Sequence, residues 1–434
     1  MKHTVTELVL DNGARGLLVH VPEASVMTFD MNFRAGEYLV ASNKWEAPHL
    51  MEHVLLGANQ LLPRARDFHA EFEKNGAYSN ASTSVYEITY EAECADFEWQ
   101  RIQELMLVAI TKPLFLETEF KSEYSNVREE LTSLSNNHFR HLSLMLRKRY
   151  GLAAKTDKDR LKIMSNVACN DVREHYKRTH TASNMRFVLA GNITPSRRQT
   201  IEMLFSHIDL PRGKNRRALP MERPHSLQEP VYIRNTSVEN LYFYIDTFMQ
   251  RCMTDGEMDA LDILNILLTE TFYSKILGKA RERGLVYGMH SGYAQLKKAS
   301  NWWFGTQVMP ANAPALFGII VQELFEIFNG KLAVKDIVAA KAYALGRFQR
   351  SAQTVGGTSN GYSNRYFFDD VIDDYYQVPK RIQAVTKKDI VDVARAMFAE
   401  NVWGFGVLGN CGIDMVRELQ TQLAPLWQVV GSTN

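Results

Sequence analysis

Cysteine is scarce in this chain: four in 434 residues, Cys94, Cys169, Cys252 and Cys411, far apart and with no C-x-x-C pair. That spacing argues against a disulfide framework and a zinc knuckle, so the four are expected as buried reduced thiols in a reducing cytoplasm. Net charge is almost absent too, at +1. Without a field of either sign, neither nucleic acid nor an anionic membrane is expected as a partner. The basic run Arg212-Gly213-Lys214-Asn215-Arg216-Arg217 is short and reads as solvated linker. No apolar stretch approaches the ~20 residues that span a bilayer. The segment from Met1 to Gly13 lacks an apolar secretory core and an Arg/Ser-rich amphipathic pattern, so a cytoplasmic location is expected. What remains is ordinary globular composition, 45% hydrophobic and 23% charged, over a length suited to two to four domains.

The hydrophobic pattern runs through one cycle and then starts again. Strand-like runs at 5–10, 16–21 and 26–33 are punctuated by Asn12-Gly13. Helices are expected over about 45–56 and 65–74, the second closed by Asn75-Gly76, then a strand over 82–91 and a helix over about 95–110. A further helix begins near Glu117. Between 210 and 229 Pro211, Pro220 and Pro224 mark a linker. Strands then return at 231–234 and 240–247, followed by a long helix over about 255–281 with apolar Met258, Leu261, Leu264, Leu268 and Phe272. Strands at 286–294 and 302–308 and helices from Pro314 and Val334 complete the second cycle. The expected fold is α+β, with two homologous domains (1–209 and 230–434) joined by a linker, each an antiparallel sheet faced by helices.

One pentapeptide carries chemistry: His49-Leu50-Met51-Glu52-His53. On a helix, His49 and His53 stack on one face and can reach one metal ion. Glu52 sits at the edge of that face, where a carboxylate takes a proton from water without being a ligand. This H-x-x-E-H order is that of inverted zincins and points to metal-dependent peptide hydrolysis. A zinc ion with two imidazole ligands needs a third protein ligand and an open position. Candidates lie on the helix after Pro113, where Glu123 and Glu130 share a face two turns apart, while Glu129 points about a hundred degrees away. The same donors also suit cobalt or manganese.

These segments resemble the pitrilysin-type metallopeptidases, family M16, which include insulin-degrading enzyme and the mitochondrial processing peptidase. In that family a glutamate ligand follows H-x-x-E-H by about 75 residues; here 76 residues separate His53 from Glu130. Glu123-x-x-x-Val127-x-x-Glu130 is similar to the family's E-x-x-x-V-x-x-E signature. The resemblance implies Glu130 as third zinc ligand, one ion per chain, with Glu123 supporting the site. Gly76-Ala77-Tyr78-Ser79-Asn80-Ala81-Ser82-Thr83 is similar to the edge strand G-A-x-x-N-A-x-T, which implies that Asn80, Ala81 and Ser82 pair with the substrate backbone. Arg281-Glu282-Arg283-Gly284-Leu285-Val286-Tyr287 resembles R-x-x-x-G-L-x-Y, whose Arg and Tyr hold substrate or the oxyanion. The Arg-to-Tyr interval is one residue shorter than is common in the family, so Arg283 competes with Arg281.

The resemblance implies a zinc-dependent endopeptidase or oligopeptidase with Glu52 as general base and Arg281 and Tyr287 on the substrate. A single motif at this length is similar to the short branch, in which two subunits pair around a chamber. The expected partners are a peptide substrate and either a second copy or a related M16 chain. Maturation of one specific precursor or leader peptide, and a non-catalytic subunit with a retained metal site, are the alternative functions.

Overall fold

Two β-sheets, each with helices against its faces, organise the chain in a computed structural model that describes residues 1–431. The first is ordered β1(Thr4–Val9)–β2(Arg15–His20)–β6(Met185–Gly191)–β3(Val26–Phe33)–β5(Ile88–Ala95)–β4(Tyr78–Thr83). The second is ordered β7(Val231–Arg234)–β11(Val402–Gly409)–β8(Leu241–Met249)–β10(Ser300–Val308)–β9(His290–Gln295). Pairing is antiparallel except for β2 with β6 and β7 with β11, which are parallel. Removing β1 makes the two orders identical, parallel pair included. The chain is α+β and internally duplicated.

Alternation explains the layers. On β3, Met27, Phe29, Met31 and Phe33 are fully buried in the first core, while Thr28, Asp30 and Asn32 occupy the other face. That second face is covered by the helix Val355–Asp369, whose Ser359 hydroxyl donates to Asp30 Oδ2 at 2.8 Å. Just beyond that helix, Asp370 accepts from Arg186 and Arg216 at 2.5 and 2.8 Å. The division therefore differs from the contiguous one expected from the sequence. One compact unit comprises Met1–Thr132, Lys158–Leu219 and Gln349–Tyr375, and the other comprises Ser133–Asp157, Pro220–Phe348 and Tyr376–Asn434. Residues 349–375 fold with the first sheet because its polar face needs a polar cover. The helix His138–Arg149 belongs to the second unit, where Leu142 and Leu146 lie over Gly406.

Three further local expectations change. The strand expected over 82–91 is a hairpin, because Ser84 closes a turn, its amide on Glu87 O at 2.8 Å. The helix expected over 255–281 is broken. It runs Asp255–Asn265, continues as a π-helical turn over Ile266–Glu270, and resumes only at Leu277–Glu282. The amides of Lys275 and Ile276 bond back to the carbonyls of Leu267 and Leu268, which turns the chain and leaves Phe272 72% exposed instead of in the core. Of the cysteines, all free, Cys94 and Cys169 are buried, Cys411 is half-buried and Cys252 is exposed. Among the described residues one helical stretch, Pro310–Phe328, is long and apolar enough to cross a membrane by length and composition. In this fold it supplies Leu316, Phe317, Ile320 and Ile327 to the second core.

Asp30 and Asp246 stand at matching places, each three residues before the end of the central strands β3 and β8. Burial pushes both carboxyls up to about 7, against hydrogen bonds from Ser359 and Asn301 respectively. For Asp246 the folded value lies above the unfolded one, so its contribution to stability is present below about pH 4 and is lost as pH rises through 7. Asp246→Asn keeps an acceptor for Asn301 and removes that loss. The variant should gain on the order of 2–4 kcal/mol over wild type at pH 8 and little at pH 4, read by calorimetry at both pH values. A difference independent of pH would contradict the assignment.

Candidate metal centre

The motif helix Ala47–Leu55 starts with Pro48 in its first turn, where the missing amide costs nothing. Ala47, Leu50, Met51, Val54 and Leu55 anchor it in the first core. His49 and His53 project together, ring centroids 5.0 Å apart. The helix Glu117–Leu134, held by buried Phe120, Val127 and Leu131, brings Glu130 to them. Glu130 Oε2 lies 3.3 Å from His49 Nε2 and 3.5 Å from His53 Nε2. Among the described residues this trio forms the one group of three or more His, Cys, Asp or Glu side chains placed to share a metal ion, with ligand atoms all within 4.8 Å of one another. The Glu130 side chain is 45% exposed, against 8% for His49, so the cluster opens to solvent on the carboxylate side.

The outward nitrogen of each imidazole is engaged as well. His53 Nδ1 meets Glu123 Oε2 at 3.0 Å, and Asn126 donates to the same oxygen at 3.2 Å. His49 Nδ1 lies 3.3 Å from Oε2 of Glu46, whose side chain is fully buried. Arg160 grips Glu46 through Nε and Nη2 at 2.6 and 2.8 Å, and Nη2 also lies 3.2 Å from His49 Nδ1. Carboxylates that take the outer nitrogens fix ring orientation and tautomer, leaving Nε2 to face the centre. Sequence reasoning found Glu123 and missed Glu46 and Arg160. Glu46 stands three residues before His49, one helical turn away, and that spacing was the available signal. Arg160 lies 111 residues beyond His49, and nothing local announces it.

The carboxylates set the electrostatics of the cluster. Burial pulls His49 down, but hydrogen bonds to Glu130 and Glu46 outweigh it and its pKa rises to about 9. For His53, burial is overcome by Glu123 and Glu130, giving about 10. Hydrogen bonds from the two imidazoles hold Glu130 well below the usual carboxylate range. The cluster thus draws positive charge to its centre. Two imidazole nitrogens and one carboxylate oxygen that already converge fit a divalent ion of the zinc type with an open position. Glu52, buried, lies on the same helix, and its Oε2 accepts from the Thr83 hydroxyl at 2.7 Å.

The other residues singled out from the sequence fall as follows. Asn80, Ala81 and Ser82 lie on β4, which ends the first sheet, with Asn80 and Ser82 exposed and Ala81 half-buried. Arg281 and Tyr287 lie in the second unit. There the Arg281 guanidinium sits over the rings of Phe272 and Tyr287, 4.3 and 5.0 Å from their centroids, and donates to the Tyr287 carbonyl. Of the two competing cations, Arg281 is thus the one packed on Tyr287; Arg283 is exposed.

The duplication shows what became of the matching place in the second unit. His49 and His53 stand sixteen and twenty residues past the end of β3; Asn265 and Thr269 stand sixteen and twenty past the end of β8. Glu130 and Arg347 each lie thirteen residues into an 18-residue helix, Glu117–Leu134 and Val334–Ser351. Asn265 Oδ1 accepts from Ser291 and Trp302 at 2.7 and 2.8 Å. Arg347 is bound to Asp262 at 2.6 Å and Glu270 at 2.7 Å. An amide, a hydroxyl and an arginine have no donor set for a metal ion.

The comparisons with known proteins agree with this asymmetry. The family model described as Insulinase (Peptidase family M16) matches residues 23–159, and that described as Peptidase M16 inactive domain matches residues 166–343. Together they span well over half of the sequence, and the chain belongs to peptidase family M16. Among solved structures it is similar to a protease from Helicobacter pylori, with TM-score 0.82 and 17% identity over 94% of this chain and 100% of that one. It is likewise similar to a peptidase M16 inactive domain from Pseudomonas fluorescens, with TM-score 0.82 and 15% identity over 94% of this chain and 98% of that one. At such identities the likeness is one of fold. No curated protein matches the sequence.

Removing Arg160 leaves Glu46 buried beside His49 without its guanidinium. Arg160→Ala should destabilise the metal-free protein by about 3–5 kcal/mol in urea denaturation. A loss below about 1 kcal/mol would mean that the pair is a surface-like contact.

Proposed function

We propose that this chain is a metal-dependent peptidase that hydrolyses peptide bonds at the His49–His53–Glu130 cluster. The observation that carries the reading is the convergence of both Nε2 atoms on Glu130 with a buried carboxylate, Glu52, on the same helix. A divalent ion such as zinc, one per chain, would be held by His49, His53 and Glu130 and would supply Lewis acidity to the scissile carbonyl. Glu52 takes a proton from the attacking water as its oxygen bonds to the carbonyl carbon, and delivers it to the amine nitrogen as the C–N bond breaks. Glu123 and Glu46 hold the imidazoles in place through their Nδ1 atoms. The edge strand β4 offers backbone groups of Asn80, Ala81 and Ser82 to an extended peptide. Arg281 and Tyr287 are proposed, on the family resemblance, as hydrogen-bond donors to the substrate. The same resemblance supports paired subunits, either two copies or one copy with a related M16 chain, acting on short or unfolded peptides; the scattered cysteines favour a reducing, cytoplasmic setting.

One matching family model and one similar structure are described as an inactive domain, which supports a second reading, a non-catalytic subunit that retains a metal. Glu52 weighs against it, since a scaffold has no use for a base. A panel of quenched peptides, assayed with and without chelator, separates the possibilities. Chelator-sensitive cleavage of many peptides supports an oligopeptidase, cleavage of a single precursor supports maturation, and bound metal without cleavage supports the scaffold. In this scheme Glu52→Gln keeps stoichiometric metal and loses about 10²- to 10⁴-fold in kcat. His53→Ala loses the metal itself, by elemental analysis. Full activity in the first or full metal in the second would refute the assigned roles.

A further inference from the structure

Thr83, the last residue of β4, is not used by the chemistry proposed above, yet its hydroxyl is aimed at the base. It donates to Glu52 Oε2 at 2.7 Å. The donor is fixed from three sides. Thr83 pairs with Ile88 across the hairpin. The turn beyond it is closed by the Ser84 hydroxyl, which accepts from the amides of Tyr86 and Glu87 at 3.2 and 3.1 Å. That turn is also bonded to the segment leading to the motif helix, through Gly36 N to Tyr86 O and Tyr38 N to Val85 O, at 3.3 and 3.1 Å. Gly36 is required for this approach, because a Cβ there would sit 2.3 Å from the carbonyl oxygens of Ser84 and Val85. A β-branched side chain on such a backbone has few rotamers to choose from.

We infer that Thr83 is a positioning residue for the general base. Its hydroxyl pins one carboxylate oxygen of Glu52 and sets the plane of the group, so that the other oxygen meets the attacking water. The inference rests on the hydrolase reading. It also links two functions of one strand. A peptide that adds to the open edge of β4 engages the same rigid element that holds the base, so substrate alignment and base alignment share a frame. Loss of the hydroxyl should therefore leave substrate binding in place and cost turnover.

Thr83→Val removes the hydroxyl at nearly constant shape, and Thr83→Ser keeps it. The valine variant should retain stoichiometric metal and a KM within about twofold of wild type while kcat falls about 10- to 100-fold; the serine variant should stay within a few-fold of wild type. Crystal structures of both variants give a readout independent of turnover: Glu52 leaves its present rotamer in Thr83→Val alone. Wild-type kcat in Thr83→Val, equal losses in the two variants, or an unmoved Glu52 in Thr83→Val would each overturn the inference. Failure of the hydrolase reading looks different. If the wild-type protein cleaves no peptide, that reading falls, and the crystallographic comparison alone decides whether Thr83 sets the carboxylate.

Discussion

A carboxylate set against the inner nitrogens of two imidazoles is the constraint on which the first unit depends. Glu130 Oε2 stands 3.3 and 3.5 Å from His49 and His53 Nε2. Holding three ionisable groups that close, half out of water, is costly unless each is satisfied on its other side. The surroundings meet that demand. Glu46 and Arg160 lie behind His49, Glu123 and Asn126 lie behind His53, and the hydrophobic anchors of two helices fix the approach. The result is a cluster whose donor directions are set by the side chains behind it.

The second unit answers the same packing problem without a cluster of metal-ligating side chains among its described residues. Its sheet repeats the strand order of the first, and a buried aspartate stands at the same place on its central strand. Where the first unit ties one helix to another through three converging donors, the second does so through Arg347 clamped by Asp262 and Glu270. Asn265 serves there as a hydrogen-bond hub for Ser291 and Trp302. An internally paired arginine ties these segments through its own two carboxylate partners. One scaffold thus carries two solutions, and only the first brings two imidazoles and a carboxylate together.

Much of this was legible along the chain. The strands Val26–Phe33 and Val231–Arg234 fall where alternation and turn residues put them, because the side-chain period of a strand is local information. The i, i+4 spacing of His49 and His53 is equally local. Other features were not legible. The apolar series from Met258 to Phe272 continues a helical period through a point where the chain turns back, since periodicity reports which residues are apolar and not where backbone hydrogen bonds change partners. Likewise, nothing in the segment 349–375 announces that it covers the first sheet, because its partner, the polar face of β3, is three hundred residues away.

By itself, then, the sequence determined the class of the fold, the duplicated rhythm, and a helix presenting two imidazoles and a carboxylate to one side, all consequences of short-range spacing. Tertiary structure alone decided that Glu130 meets both rings, that Arg160 neutralises Glu46 behind His49, and that the end of an edge strand holds Glu52. The reason is physical. Periodicity fixes the direction of a side chain relative to its own element, whereas the partner it meets depends on how elements distant in sequence pack to bury apolar surface and satisfy the polar groups carried in with it.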